Sequence, residues 1–477
     1  MTPNRRSSRP RCVDTVCCPR TADVAELMPP GIVIPRSLQV IFKFGKKKQA
    51  EILEEAEVEL IRFQGALNGV PPEMEANAKL VKIALEPLKE LFTDAVTRRA
   101  DTIRIEPKGD RATIAFLIDG VAIPAGRVPK QRAHAMTQMT KVLCGLDISE
   151  RTQPQSGGVK ASVGEDEFEL KTMTTPVAGG MERLLVYIRN LDEKLEKPEH
   201  IGMPSELKLA IRNLTSGRKK LFLVCGPSRT GITTTLYASV RGLDAYLHVI
   251  FTIGDTEGRS LLNISTFDTD PTHDLQETLR RCIRVEAEVI LLDPIRNAED
   301  ARVVAGFYDD AVMISEITAA DAATGILQMA EWLGDGALAA KVLSGVLSQK
   351  LIRKLCNDCK EAFKPSPKLM KKIGLKADEI TVLYRKASPP VEPLPKGEEW
   401  EPCTTCDDTG YFGRTTIFEL IEMSEGMQGL LAGGADATAL REQARTEKMR
   451  TLKNDAMRLV ADGTTSLEEL QRAFKGN

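Results

Sequence analysis

What the chain lacks narrows the field first. It has no run of about 18 uninterrupted apolar residues, the length a helix needs to cross a bilayer, so no membrane-spanning helix is expected. Charge of one sign is not in excess: 65 Lys and Arg stand against 67 Asp and Glu, a formal net charge of −2. That balance gives no overall attraction to nucleic acid or to anionic lipid, and no nucleic-acid partner is expected. No internal repeat is visible, which sets aside repeat architectures. The opening segment, MTPNRRSSRPRCVDTVCCPRTADV, is basic but lacks the apolar stretch of a secretory leader. Residues 1–45 therefore read as a disordered basic tail on a cytoplasmic protein.

A chain of 477 residues, 42% hydrophobic and 28% charged, is too long for one ordinary core and has the balance of a soluble globular protein. Apolar residues at helical spacing in KKKQAEILEEAEVELIRFQGAL predict a helix within 46–72, ended by NGVPP. Residues 73–191 read as a small α+β domain. It has a helix in NAKLVKIALEPLKELFTDAVTRR, strands in DTIRIEP and ATIAFLIDG, a helix near 130–147, and strands through FELKTM and RLLVYIRN. The charged stretch 192–203 suits a linker. Beyond it, the short apolar runs KLFLVC, HVIFTI, EVILLD and AVMIS alternate with helical patterns, the mark of an α/β fold with a parallel sheet covered on both faces. Ligands on such sheets sit at the C-terminal strand ends. There the segments CGPSRTG, GDTEG and DPIRN fall.

The first of these segments has the layout of a phosphate loop. Gly226 and Gly231, with four residues between them, let the backbone curl so that several N–H groups face one hollow, and a helix starting near Thr233 adds its positive end. Gly226, Pro227, Ser228, Arg229, Thr230, Gly231, Ile232, Thr233 and Thr234 are the candidate nucleotide-binding residues, with Thr233 placed to ligate magnesium. Ile232, however, stands where such a loop carries lysine. Losing one preorganised contact of that kind costs on the order of 3–4 kcal/mol of transition-state stabilisation. Arg229 is open to two readings, a substitute cation or a plug. Asp293, ending VILLD, is a further magnesium candidate, and Asp255, in IGDTEG beside Glu257, is either another or part of a solvated loop. Pro294 follows Asp293 where a carboxylate would orient the attacking water.

Of the ten cysteines, Cys12, Cys17 and Cys18 lie in the tail, and Cys144, Cys225 and Cys282 sit among apolar neighbours as core filler. The other four form two C-x-x-C knuckles, Cys356 with Cys359 and Cys403 with Cys406, with 43 residues between them. Four thiolates close a tetrahedral shell with no open position, so a structural zinc is expected.

Together with the loop, the stretches LSGVLSQKLIRKLCNDC, CTTCDDTGYFGRTTIFEL and TLKNDAMRLVADGTTSLEEL resemble the secretion and pilus assembly ATPases of the type II secretion and type IV pilus systems, over roughly 77–475. The resemblance implies a RecA-like P-loop NTPase domain over 204–477. Within it would lie a zinc-knuckle subdomain over 353–412 and a helical part over 420–477, and the preceding α+β domain would be PAS-like. It also implies ATP or ADP and magnesium as family ligands, an inner-membrane platform protein as partner, and a homo-hexamer or a mixed ring with active paralogues. Such a protein is cytoplasmic and peripheral at the inner membrane.

Set against the family's patterns, the chain departs at the groups that serve phosphate chemistry. The loop pattern GPTGSGKTTTLY has Arg229 for its middle glycine and Ile232 for its lysine. In T-I-E-D-P-V-E the first carboxylate is Gly254, with Asp255 kept. In G-E-I-R-D the glycine and glutamate are Asp293 and Pro294, with Arg296 kept and Asn297 replacing aspartate. The box S-T-L-H-T-N-D-A appears as SEITAADA, with Thr318 for histidine. In the first domain Arg104, Gln153 and Tyr187 replace a histidine and two arginines. The expected function is a secretion or pilus machine subunit with the ATPase fold and little or no hydrolysis, acting as a scaffold or regulator. The alternatives are an active motor using Arg229 and Asp293, and a sensor that binds nucleotide without splitting it.

Overall fold

The computed structural model describes residues 59–475 except 194, 196, 217–218, 244–247, 255, 257–260, 262–263, 271, 375–379 and 389–401. The expected tail and most of the helix expected in 46–72 lie outside the described residues. The chain divides into two compact units, the second beginning at Glu193.

The first unit contains β1 (Arg62–Ala66), α1 (Ala78–Thr97), β2 (Ala100–Lys108), β3 (Arg111–Ile118), β4 (Val121–Pro129), α2 (Lys130–Leu143), β5 (Gln155–Val163), β6 (Asp166–Val177) and β7 (Met181–Asn190). The strands form one antiparallel sheet in the order β1-β5-β6-β7-β2-β3-β4. Alternation decides its faces: along β3, Ala112, Ile114, Phe116 and Ile118 are buried and the residues between them are not. Leu88, Leu91 and Phe92 of α1 and Met136 and Met139 of α2 join these residues in one apolar cluster.

Residues 62–66 correct the helical expectation for this end of 46–72. They pair as a strand with β5, so the sheet begins before residue 73. Ile61 is fully buried, with its N–H donated to Thr93 Oγ1 at 2.9 Å, and Phe63 meets Phe92 edge to face at 5.9 Å. A period of two in IRF, tied to α1, overrides the helical spacing that precedes it. An ion pair is sealed into the same unit. Lys141 Nζ lies 2.9 Å from Glu182 Oε1, both side chains 0% exposed, and Nζ also donates to the Glu150 carbonyl at 2.6 Å. Gln138 donates to the other Glu182 oxygen at 2.8 Å.

The second unit opens with α3 (Ser205–Ser216), β8 (Leu221–Gly226), α4 (Ile232–Arg241), β9 (Ile250–Thr252), β10 (Ser265–Thr266), α5 (Leu275–Arg284), β11 (Val289–Leu291), α6 (Ala298–Ala305), β12 (Val312–Thr318), α7 (Ala322–Leu333) and α8 (Gly336–Val342). It continues through β13 (Leu343–Leu355), β14 (Glu361–Phe363), α9 (Pro367–Ile373), β15 (Leu383–Arg385) and β16 (Tyr411–Glu422), and ends in α10 (Glu425–Ala432), α11 (Ala437–Thr446), α12 (Leu452–Ala461) and α13 (Leu467–Phe474). The main sheet runs β10-β9-β11-β12-β8-β13-β16, parallel up to β13 and antiparallel at β16. All four apolar runs read as strands in the sequence appear in it. β8 shows why both faces are covered. Leu221, Leu223 and Cys225 enter the cluster with α7, while Phe222 and Val224 enter the cluster with α3 and α4.

The stretch expected as a linker, 192–203, ends in packed structure, since Ile201 and Met203 are buried beside Leu207 and Ile211 of α3. The helices expected in 420–477 are present, but the span starts inside β16. They are started by side-chain caps: Ser424, Asp436, Thr451 and Ser466 each accept a backbone N–H from the first turn. Arg353 of β13 latches α13, with Nη2 at 2.7 Å from the buried Glu469 and its guanidinium 3.9 Å from the centre of the Tyr411 ring.

Replacing Lys141 by Met leaves the Glu182 carboxylate buried without its counter-charge. Loss of one partner of a sealed pair costs about 3–5 kcal/mol. The first unit's urea transition is expected to move down accordingly, and by less in Lys141→Met with Glu182→Leu.

Candidate nucleotide site and cysteine centre

The loop after β8 keeps its shape by crowding and by backbone handedness. A Cβ on Gly226 would fall 2.9 Å from the Gln349 carbonyl and 2.9 Å from Thr230 Oγ1, so only glycine fits there. Gly231 has φ +81° and caps α4. Arg229, which occupies a glycine position in the family's pattern, is held at φ +66°, a left-handed conformation that costs a side-chain-bearing residue roughly 1–2 kcal/mol. The loop thus imposes glycine's backbone on an arginine. Polar ties close it: Thr230 Oγ1 donates to the Pro227 carbonyl at 2.7 Å, and buried Gln349 donates to the Thr230 carbonyl at 2.7 Å while accepting from the Thr235 hydroxyl.

The side chains around the loop are less suited to phosphate than the loop itself. Ile232, the first residue of α4, is buried in the apolar cluster with Val224 and Leu236, so its side chain offers neither charge nor donor. Thr233 Oγ1 donates to Glu316 Oε1 at 3.1 Å. A cavity of about 560 Å³ opens here. Among the described residues its lining includes Ser228, Arg229, Gly231, Ile232, Thr233, Thr234, Pro294, Arg296, Glu316 and Thr318, with Gln328 and Trp332 of α7. It does not include Asp293. That aspartate follows β11, with its carbonyl accepting from Ser315 Oγ at 2.8 Å, and its carboxylate fills the space beside Gly254. A Cβ on Gly254, whose φ is +105°, would fall 2.1 Å from Asp293 Cγ. The bare side of Gly254 and the Asp293 carboxylate are therefore spatially matched. Asp255 and Glu257 lie outside the described residues.

Thr318 ends β12 opposite Gly226, and the Ala319 N–H donates to the Gly226 carbonyl at 3.1 Å. In the first unit, Arg104 is tied to Glu106, Nη2 to Oε2 3.0 Å, alongside Arg183. Hydrogen bonds from Arg183 and then Arg104 hold the Glu106 carboxyl below its usual range despite partial burial. Glu316, Gln349 and Trp332 are the site residues that the sequence reading passed over. Only Glu316 had left a signal, standing at the threonine of S-T-L-H-T-N-D-A.

The four knuckle cysteines do meet. Their sulfurs all lie within 4.8 Å of one another, with Cys356 to Cys403 at 3.9 Å and Cys359 to Cys406 at 3.7 Å. Metal–sulfur bonds of about 2.3 Å in a tetrahedron put sulfurs roughly 3.8 Å apart, so the spacing fits zinc. The turn supporting them is tight: Asp407, Asp408 and Gly410 all have positive φ, and the Gly410 N–H donates to Cys406 Sγ at 3.3 Å. Burial, with the neighbouring sulfurs, pushes the Cys359 thiol up, and burial also raises Cys406. For Cys403, burial is outweighed by hydrogen bonds from the Cys406 and Thr405 N–H groups together with those to the Cys406 and Cys359 thiols, which lower it. A bound cation would draw off these protons and replace them with metal–thiolate bonds. The buried Cys144 and Cys282 are pushed up to about 11 and Cys225 to about 12 by desolvation, which suits inert core thiols.

Comparison with known proteins agrees with this architecture. The type IV pilus assembly ATPase PilB of Thermus thermophilus is 26% identical over 432 residues, covering 90% of this chain and 46% of the relative. The chain thus spans about half of that protein's length. The type II secretion system protein HxcR of Pseudomonas aeruginosa is 27% identical over 427 residues, covering 88% of this chain and 83% of HxcR. The type II secretion system ATPase E of Vibrio cholerae is 27% identical over 408 residues, covering 84% and 77%. Among solved structures, the ATPase DotB of Legionella pneumophila shares the fold, with a TM-score of 0.53 at 12% identity, over 83% of this chain and 96% of DotB. The family described as "Type II/IV secretion system protein" matches residues 77–472. With that match running from the start of α1 into α13, the chain belongs to the type II/IV secretion system protein family.

Proposed function

We propose that this chain is a subunit of a type II secretion or type IV pilus assembly machine that has the assembly-ATPase fold and hydrolyses ATP slowly or not at all. The observation that carries the reading is Ile232, an aliphatic side chain packed into the core at the loop position that needs an ammonium. Pro294 on the cavity wall supports it, since proline can neither accept a proton nor orient water. The residues around the loop therefore do not fit the full chemistry of a bound ATP. The relatives bearing ATPase names supply the machine. This chain's role there is assembly: docking on an inner-membrane platform protein from the cytoplasmic side, within a homo-hexamer or a mixed ring with active paralogues, its first unit taking the PAS-like place. Cys356, Cys359, Cys403 and Cys406 would hold a structural zinc, whose part is to tie the end of β13 to the start of β16.

A second reading is favoured by Arg229, which lines the same cavity as Thr233 and brings a guanidinium to the loop. It makes the chain a slow motor, or a sensor that holds nucleotide without splitting it.

Phosphate release by the purified chain is expected at less than about one-hundredth of the rate of an intact relative, because one missing electrostatic contact alone costs 100- to 1000-fold. Ile232→Lys with Pro294→Glu is expected to raise release at least about tenfold. Wild-type release that matches the relative and vanishes in Arg229→Ala would establish the motor instead. Metal analysis is expected to find one zinc per chain. Cys403→Ser, or a strong chelator, is expected to lower the second unit's melting temperature and free that zinc, because binding energy at such a site is folding energy.

A further inference from the structure

Glu316 lies inside β12, level with Val224 of β8, two residues short of the strand end at Thr318. From there its side chain reaches the start of α4 and accepts the Thr233 hydroxyl at 3.1 Å. Thr233 is the second residue of that helix, where unpaired N–H groups and the helix dipole favour a negative ligand. The carboxylate also lines the cavity shared by Ser228, Gly231 and Thr234. A fixed anion therefore already stands beside the hollow that the loop's backbone shapes for an anion, and it engages the hydroxyl expected to ligate a nucleotide's magnesium.

We propose that Glu316 is a specificity-determining residue that bars nucleoside di- and triphosphates from the loop. It does so by taking up the Thr233 hydroxyl and by repelling the incoming phosphate oxygens. This inference rests on the low-hydrolysis reading above and deepens it: the loss would lie in binding, before any chemistry. Among the described residues two cations share the wall, Arg229 and Arg296, but both residues are exposed, whereas Glu316 is half-buried. Water and salt screen exposed charges, and a partly buried one acts at lower effective dielectric. The half-buried carboxylate therefore weighs more per charge than either exposed guanidinium, and the Ile232 side chain brings no charge against it.

The test is equilibrium titration of the full chain with a fluorescent ATP analogue and magnesium, followed by anisotropy. The proteins are wild type, Glu316→Thr, Glu316→Gln, Ile232→Lys, and each Glu316 variant combined with Ile232→Lys, all with thermal melts to establish folding. Both Glu316 replacements are expected to tighten binding at least tenfold over their parents. Gln keeps the shape of the side chain and the contact to Thr233, so a gain with Gln isolates the charge. If neither replacement binds more tightly than Ile232→Lys alone, or if no variant binds at all, the proposal is overturned. Weaker binding without Glu316 also overturns it, because the carboxylate would then be holding the metal. Phosphate release by the wild-type chain would sink the low-hydrolysis reading separately, leaving the binding comparison to decide the role of Glu316.

Discussion

Burial of β8 on both faces is the constraint on which the second unit depends. Leu221, Leu223 and Cys225 pack on one side and Phe222 and Val224 on the other, with none of these side chains exposed. Apolar burial of this kind contributes about 25 cal/mol per Å² and is indifferent to what happens at the strand end. Once β8 is seated between β12 and β13, its last residue Gly226 and the start of α4 are placed within a narrow range. The loop between them must then curl, whatever side chains it carries.

That indifference lets the loop's shape and its side-chain chemistry vary separately. The loop is held by Gly226 pressed on the Gln349 carbonyl, by Gly231 at positive φ, and by the Gln349 amide on Thr230. None of these involves a charge. The groups proposed above to matter for phosphate chemistry are instead the side chains at 232, 254, 294 and 318, which take no part in these ties. Ile232 serves the core where a lysine would serve a ligand. Arg229 shows the same bias from the other side, because the backbone holds it in glycine's conformation at a steric cost.

The C-terminal part is fastened differently. Residues between the knuckles join an apolar cluster of their own, where Met370 and Leu383 are buried with Ile352, Ile417, Leu452 and Leu459, and charged latches add to it. Arg353 grips buried Glu469, and buried Asp455 accepts from Arg450 at 2.6 Å and from the Phe418 N–H at 2.9 Å. Such pairs add geometric definition more than net stability. They fix where α12 and α13 lie against β13 and β16.

Much of this was legible in linear order. The four parallel strands, the phosphate-loop layout and the two cysteine knuckles are local patterns, written in apolar runs, glycines and fixed spacings, so they can be read without knowing the fold. The strand at 62–66 was not legible, because its partner β5 lies far along the chain and its period of two spans only a few residues beside a longer helical pattern. Nor was the meeting of Asp293 with the empty side of Gly254, or of Glu316 with Thr233, residues separated by 39 and 83 positions. Sequence determined which side chains were present and which local shapes they favoured. Only the packing of parallel strands decided which carboxylate faces which hydroxyl, because contacts between strand ends follow from sheet order and register.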